Sequence, residues 1–191
     1  MDIKAALHRQ LRLQREALLW KAEGLDERDL RLPRTPTGTN LLGLIKHCLG
    51  VEHGYFLTSM GRASQLKLPE IDFEQDPNGD FYATEDERAD ELIELYRAVA
   101  VEVDQAIDEL ELDAPGTVEW WGERGATTLG FLLAHVLGDI ARHAGHADIL
   151  REGIDGRLGV TVDNSNMWEP DGGWDTHVLR LTGIAEGFSP Q

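Results

Sequence analysis

Apolar residues recur at spacings of three and four in four segments of the chain, a pattern typical of amphipathic helices. The segments cover residues 2–23, 41–59, about 84–110 and 128–152. Stretches rich in glycine and proline separate them, and a shorter helix is predicted over about residues 174–185. Thr127 or Thr128 is expected to cap the fourth helix. The pattern predicts an all-α bundle.

The connection between the second and third helices is unusually long. Residues 61–84 lack helical periodicity and contain Pro69, Pro77 and a turn-like Asn78-Gly79 pair. A crossover of this length can return along the bundle, which allows the two helices to run parallel. The acidic residues 85–87 are expected in the first turn of the third helix, where they suit its dipole.

Length and charge narrow the class of protein. With 191 residues, the chain is expected to form one domain spanning residues 1–191. Its net charge of −17 opposes binding to nucleic acid and to anionic membranes. Cys48 is the only cysteine, and neither a secretory signal nor an 18-residue apolar span is apparent. A soluble cytoplasmic protein is therefore expected.

The fourth helix carries a line of potential metal ligands. His135, Asp139, His143 and His146 follow one another at spacings of four, four and three, within an arc of about 80°. His143 sits at the edge of the apolar stripe with Asp139 beside it, whereas His135 and His146 lie further towards the polar side. His47 occupies the corresponding edge of the second helix. Asp139 and His143 are therefore the preferred pair of ligands, and His47 would complete a site of three.

Two imidazoles and a carboxylate suit Zn²⁺ and leave a coordination position open for water or substrate. The same set also suits Fe²⁺, Ni²⁺ or Mn²⁺, so the ligands alone do not select the metal. Histidines on a helix also serve packing or hydrogen bonding, and that simpler interpretation stays open at this point.

Small and aromatic residues near His47 admit two interpretations. Gly43, Gly50 and Gly54 lie on the same side of the second helix as His47, where they leave room for a small molecule or for close packing. Trp120 and Trp121, upstream of the fourth helix, either wall a pocket or cover the end of the bundle.

Two charged residues fall on apolar faces of the predicted helices. Glu52 lies inside the apolar arc of the second helix, and Arg151 has a similar position on the fourth. An unpaired buried charge is costly, so each should have a partner, and a structural ion pair is the simpler account. Cys48 is expected to be a buried apolar cysteine.

Two segments carry a resemblance to a known family. LLGLIKHCLGVEHGYF, which contains His47, and HVLGDIARHAGHADILREGIDG resemble the DinB-like superfamily in its actinobacterial, mini-circle-type branch. The resemblance implies a four-helix bundle, up-down-down-up, with a divalent metal held by His47, Asp139 and His143. Asp139 stands where most members have histidine, but the related mycothiol-dependent maleylpyruvate isomerase has glutamate there. His135 or His146 remains an alternative to Asp139, or an addition to it.

The resemblance also implies a function. Known members use low-molecular-weight thiols, mycothiol or bacillithiol, so a metal-dependent thiol S-transferase or isomerase acting on a small electrophile is expected. One alternative is metal-assisted hydrolysis, in which hydroxide replaces the thiolate. Another is a non-enzymatic metal- or ligand-binding stress protein whose ion is closed off by a fourth protein ligand. Monomer and homodimer both remain open.

Overall fold

The computed structural model describes residues 2–188, and its regular secondary structure is helical apart from one small hairpin. The hairpin pairs β1 (Pro115–Thr117) with β2 (Ala126–Thr128) in antiparallel fashion, around a 3-10 helix at Glu119–Arg124. The α-helices are α1 (Ile3–Trp20), α2 (Glu27–Arg31), α3 (Leu41–Glu52), α4 (Ala89–Glu109), α5 (Leu129–Asp155) and α6 (Gly173–Glu186). The all-α fold class predicted from the periodicity is confirmed.

The four long helices α1, α3, α4 and α5 enclose one apolar core. Helix α5 packs against α1 and α3, and α3 also packs against α4. The predicted stripe of α5 is fully buried, with Leu132, Leu133, Val136 and Ile140 inaccessible to solvent. Burying a side chain of this size stabilises the fold by about 1.5–3 kcal/mol. The core thus holds α3 and α5 side by side.

The ends of α5 follow the sequence signals. The Thr128 hydroxyl accepts a hydrogen bond from the backbone N–H of Phe131, which makes Thr128 the N-cap. Gly156 ends the helix in the left-handed conformation, at a φ of 76°, which favours glycine. Helix α5 therefore runs three residues beyond the predicted end at residue 152.

Helix α4 begins at Ala89, five residues later than predicted, and Asp90 and Glu91 are the acidic residues of its first turn. The prediction that the acidic residues 85–87 lie in the first turn of this helix is therefore wrong. The Glu87 carboxylate accepts hydrogen bonds from the backbone N–H of Thr84 and from Nζ of Lys46. Glu87 thus anchors the end of the crossover to α3 instead of lying inside α4.

Other local differences are small. Helix α2 lies within the loop predicted after α1, and the second predicted helix changes to a π-helical turn over His53–Thr58. The hairpin also occupies a segment predicted as loop.

The long crossover is confirmed, since residues 59–88 contain neither helix nor strand. The short C-terminal helix is confirmed as α6.

Both buried charges have partners, but they do not pair with each other. Arg15 donates hydrogen bonds to the Glu52 carboxylate, with Nη2 2.6 Å from Oε2, and the Tyr96 hydroxyl donates to Oε1 of Glu52. Arg151 binds the Asp155 carboxylate and donates to the backbone carbonyl of Lys21. The structural interpretation of both residues is thus supported by their contacts.

Across residues 2–188, no helix combines the length and the apolar character needed to cross a bilayer.

Candidate metal centre

The packing of α3 against α5 brings the three predicted ligands together. One ligand atom from each of His47, Asp139 and His143 lies within 4.8 Å of the others. The Asp139 carboxylate stands between the two rings: Oδ2 is 3.3 Å from Nε2 of His47, and Oδ1 is 3.6 Å from Nε2 of His143. His47 and His143 meet edge to face, with ring centroids 4.7 Å apart.

These separations fit a shared ion. Two atoms bound about 2.0–2.1 Å from Zn²⁺ at a tetrahedral angle lie about 3.3–3.4 Å apart. The two observed N···O distances, one to each oxygen of Asp139, are close to that value, and 3.6 Å is too long for a hydrogen bond. Two imidazole nitrogens and a carboxylate oxygen are also the donors that a divalent transition metal accepts. The residues present therefore fit the ion that the resemblance implies.

Asp80 holds the ring of His47 from the opposite side. Its Oδ2 lies 2.6 Å from Nδ1 of His47. Because an ionised carboxylate only accepts hydrogen bonds, Nδ1 must carry the proton. The Phe81 ring stacks on the same imidazole, with centroids 4.1 Å apart. A carboxylate behind a ligating histidine is the usual arrangement that orients such a ligand.

The two histidines differ in how they are held. His143 is buried, and its Nδ1 atom has no hydrogen-bond partner among residues 2–188. Packing within α5 and against the rings of His47 and His146 sets its orientation. Asp80 thus orients the ring of His47 through a hydrogen bond, whereas packing contacts orient the ring of His143.

Asp80 reaches the site because Lys46 fastens the crossover to α3. The Lys46 ammonium donates to the backbone carbonyls of Gly79 and Tyr82, each at 3.0 Å, and to the Glu87 carboxylate at 2.9 Å. These three acceptors match the three donors of an ammonium group. The contact between Asp80 and His47 has no signature in the sequence, since no periodicity connects a crossover residue with a helical residue 33 positions away.

The charges of the site favour a bound cation. Because Nδ1 of His47 donates a hydrogen bond to Asp80, Nε2 of a neutral His47 carries a lone pair, which faces Oδ2 of Asp139. Nε2 and Oδ2 are then both hydrogen-bond acceptors, and they repel each other unless a proton or a metal ion lies between them. Burial disfavours protonation, but hydrogen bonds to Asp139 and Asp80 outweigh it and raise the pKa of His47 to about 9. Contacts with His143 and His47 hold the pKa of Asp139 well below its usual range. Without a metal ion, a proton takes the place between them.

Neither alternative ligand joins this group within the described part of the chain. His135 is exposed and lies among the rings of Tyr55, Trp121 and Phe131. His146 is also exposed, and its ring contacts that of His143 with centroids 5.4 Å apart.

A cavity of about 600 Å³ adjoins the site. Its lining includes His47 and Asp80 beside the centre, Leu68 of the crossover, and Trp120. Trp120 therefore walls this cavity. Trp121 contacts the ring of His135 and, with Phe131, lines a second pocket of about 550 Å³.

The three glycines of the second helix serve different purposes. A Cβ atom at Gly43 would lie 1.8 Å from the carbonyl oxygen of Phe81, so Gly43 permits close packing of the crossover. At Gly54 the added atom would be 3.3 Å from the Trp120 ring, and at Gly50 it would meet nothing within 4 Å. Gly50 and Gly54 both line the cavity, so both predicted interpretations apply, at different positions.

Comparison with known proteins identifies the family of the chain. No curated protein matches the chain at a significant level. The family model described as mycothiol-S-transferase matches residues 6–156, from the first turns of α1 to the end of α5. The match includes all three residues of the candidate centre and the crossover that carries Asp80. The chain therefore belongs to the mycothiol-S-transferase family, which is a DinB-like family.

Proposed function

We propose that the protein is a metal-dependent S-transferase that joins mycothiol, or a similar low-molecular-weight thiol, to a small electrophile. The observation that carries the proposal is the convergence of His47, Asp139 and His143 within 4.8 Å in a chain of this family. A divalent ion at these residues would lower the pKa of a coordinated thiol. Zn²⁺ is the preferred ion, and Fe²⁺, Ni²⁺ or Mn²⁺ would accept the same donors.

The residues around the centre prepare it for that role. Asp80 keeps the proton of His47 on Nδ1, so that Nε2 offers its lone pair. Asp139 adds one negative charge between the two histidines. With three protein ligands, a tetrahedral ion keeps one position for an exogenous group.

Cys48 does not supply the nucleophile. It is fully buried, and burial together with the nearby Glu52 carboxylate raises the pKa of its thiol well above the usual value. Since thiolates and not thiols are nucleophilic, the attacking sulfur has to come from a second molecule.

An open coordination position favours catalysis over a structural ion. A structural zinc site uses four protein ligands, and His135 and His146 stand outside the group of three within the described residues. Hydrolysis would use the same open position, so thiol dependence is the property that separates the two activities.

The first experiment measures metal content after purification without a histidine tag or added metal. We expect about one ion per chain in the wild type and in His135→Ala, and strong loss in His143→Ala and Asp139→Ala. Near-wild-type metal binding by His143→Ala would contradict the proposed ligand set. His135→Ala is the matched control, because it removes a histidine from the same helix.

The second experiment tests the reaction. The metal-loaded protein is mixed with a small alkyl halide, with and without mycothiol, and thioether and alcohol products are quantified. Thioether formation that requires both the protein and the thiol is expected. Alcohol formation that is independent of thiol would replace the transferase proposal with hydrolysis.

A further inference from the structure

The cavity beside the candidate metal centre has a size and position suited to a second reactant. Its volume of about 600 Å³ lies within the range of about 300–1,000 Å³ found for small-molecule sites. It reaches the centre at His47, with Asp80 beside that ring, whereas Asp139 and His143 are not part of its lining. A molecule held there would lie against the imidazole of one candidate ligand.

The walls of the cavity are predominantly apolar. Helix α3 contributes Leu49 and Val51, and the crossover contributes Leu68, Ile71 and Phe73. Trp120 and Tyr55 close another side, where their rings meet edge to face with centroids 5.1 Å apart. Such a surface favours aromatic or aliphatic groups.

The charged residues of the cavity are already paired. Lys46 is buried, and its ammonium is engaged by Glu87 and two backbone carbonyls, so no donor remains for an anionic ligand. The carboxylate of Asp80 is engaged by His47. A carboxylate ligand would lose its hydration and face the negative charge of Asp80, and an ammonium ligand would have to share a carboxylate that already accepts from His47.

Gly50 leaves open space in the wall of the cavity. It lies three residues after His47, close to it on the face of α3, and a Cβ atom there would meet nothing within 4 Å. Any larger side chain at position 50 would extend into the cavity. Glycine in a helix interior is less favourable than alanine, and no backbone contact requires it at this position.

We infer that this cavity binds the electrophilic co-substrate, that it selects uncharged, apolar or aromatic molecules, and that Gly50 limits their size. The inference rests on the proposed function, since it assigns the second reactant of the same site. In the reaction, the thiolate sulfur forms a bond to the electrophilic carbon of an alkyl halide. The carbon–halogen bond breaks, halide leaves with the electron pair, and the thiol proton passes to the buffer.

The test of binding uses metal-free protein, so that it does not depend on catalysis. Equilibrium dialysis measures three probes of matched shape: 2-methylnaphthalene, 2-naphthoate and 2-naphthylmethylammonium. We expect the neutral probe to bind about tenfold or more tightly than either charged probe. Equal or tighter binding of a charged probe would overturn the inference.

Substitutions locate the binding. Gly50→Leu should weaken binding of 2-methylnaphthalene about tenfold or more, and Gly50→Ala should weaken it less. Gly153→Leu is the matched control, because Gly153 is also a helical glycine with nothing within 4 Å but lies outside the cavity lining. Unchanged binding by a folded Gly50→Leu variant would overturn the inference. If the leucine variant does not fold, unchanged binding by Gly50→Ala would overturn it instead.

A paired activity measurement separates this inference from the proposed function. Metal-loaded protein and mycothiol are tested with 4-methylbenzyl chloride and 4-(chloromethyl)benzoate, which differ mainly in charge. A preference of about tenfold or more for the neutral chloride is expected. Transfer to both at equal rates would overturn the inference and leave the transferase proposal standing. Selective probe binding without transfer to either would overturn the transferase proposal and leave the apolar site standing.

Discussion

The imidazole of His47 and the carboxylate of Asp80 lie 2.6 Å apart although 33 residues separate them in the chain. The contact joins a bundle helix to the long crossover. It explains why His47 presents Nε2, and not Nδ1, towards Asp139 and His143.

Removing Asp80 should weaken metal binding. Loss of a carboxylate behind a ligating histidine typically costs about 10–100-fold in metal affinity, and we expect Asp80→Ala to fall in this range. Asp80→Asn keeps an acceptor but loses the charge, so its effect should be smaller. Chelator competition measures both. Asp76→Asn is the control, since Asp76 is a carboxylate of the same crossover that binds Tyr82 instead of a candidate ligand. An unchanged affinity in Asp80→Ala would contradict the role assigned to this contact.

Breaking the buried ion pair should destabilise the fold. Arg15→Ala leaves Glu52, which is fully inaccessible to solvent, with the Tyr96 hydroxyl as its remaining partner. Such a loss costs about 3–5 kcal/mol in the free energy of unfolding, measured by denaturant titration. Arg12→Ala is the control: Arg12 is exposed and contacts Asp104 at 3.4 Å, and its loss should cost less than about 1 kcal/mol. Similar costs for both variants would count against a buried pair.

Acid should remove part of the stability that Asp104 contributes. Burial opposes ionisation of Asp104, but hydrogen bonds with Arg15 and His8 outweigh it and hold its pKa below the usual value. Because the folded pKa is the lower one, the contribution is present above about pH 4 and is lost as the pH falls through the folded pKa. The stability difference between wild type and Asp104→Asn should therefore shrink below about pH 4. Asp113→Asn, an exposed control, should show no such convergence.

Cys48 should be unreactive in the native protein. Its thiol is fully buried and its pKa is raised by burial, so a thiol-specific reagent at pH 8 should label it only after unfolding. Mass spectrometry before and after denaturation measures this. Cys48→Ala should retain thiol transfer, and abolished transfer in a folded Cys48→Ala protein would argue for a nucleophile within the chain.

Gly43 should be intolerant of a side chain. A Cβ atom there would lie 1.8 Å from the carbonyl oxygen of Phe81, which is backbone and cannot rotate away. Gly43→Ala should therefore displace the crossover, lower the melting temperature and weaken metal binding through Asp80. Gly153→Ala, with open space around it, should be neutral or stabilising, as expected for a helical glycine. A stabilised Gly43→Ala protein would show that the crossover adapts.

Periodicity and capping signals correctly predict those features of the fold that depend on residues close together in the chain. The stripe of α5 and its Thr128 cap follow from spacing and residue type, and both are observed. The same spacing placed Asp139 and His143 on one face, and the resemblance supported His47 as their partner. Their role as ligands stays a prediction that the metal measurements test.

Sequence reasoning failed where a long-range contact overrides a local preference. Glu87 has the signature of a first-turn acidic residue, but its hydrogen bond with Lys46 places it in the crossover. Asp80 was missed for the same reason, since a carboxylate in an irregular segment resembles any solvated surface residue. Helix α2, with five residues, is too short to show periodicity.

The crossover contributes to two sites at once, because Asp80 orients His47 while Leu68, Ile71 and Phe73 wall the cavity. Both ligands would favour the form in which the crossover is packed against α3. An ion would do so because that form orients His47, and a molecule in the cavity would do so because that form completes the cavity wall. By thermodynamic reciprocity, each would then tighten the binding of the other without direct contact between them. Two ligands would then share the free-energy cost of docking one chain segment, and their binding would be positively cooperative.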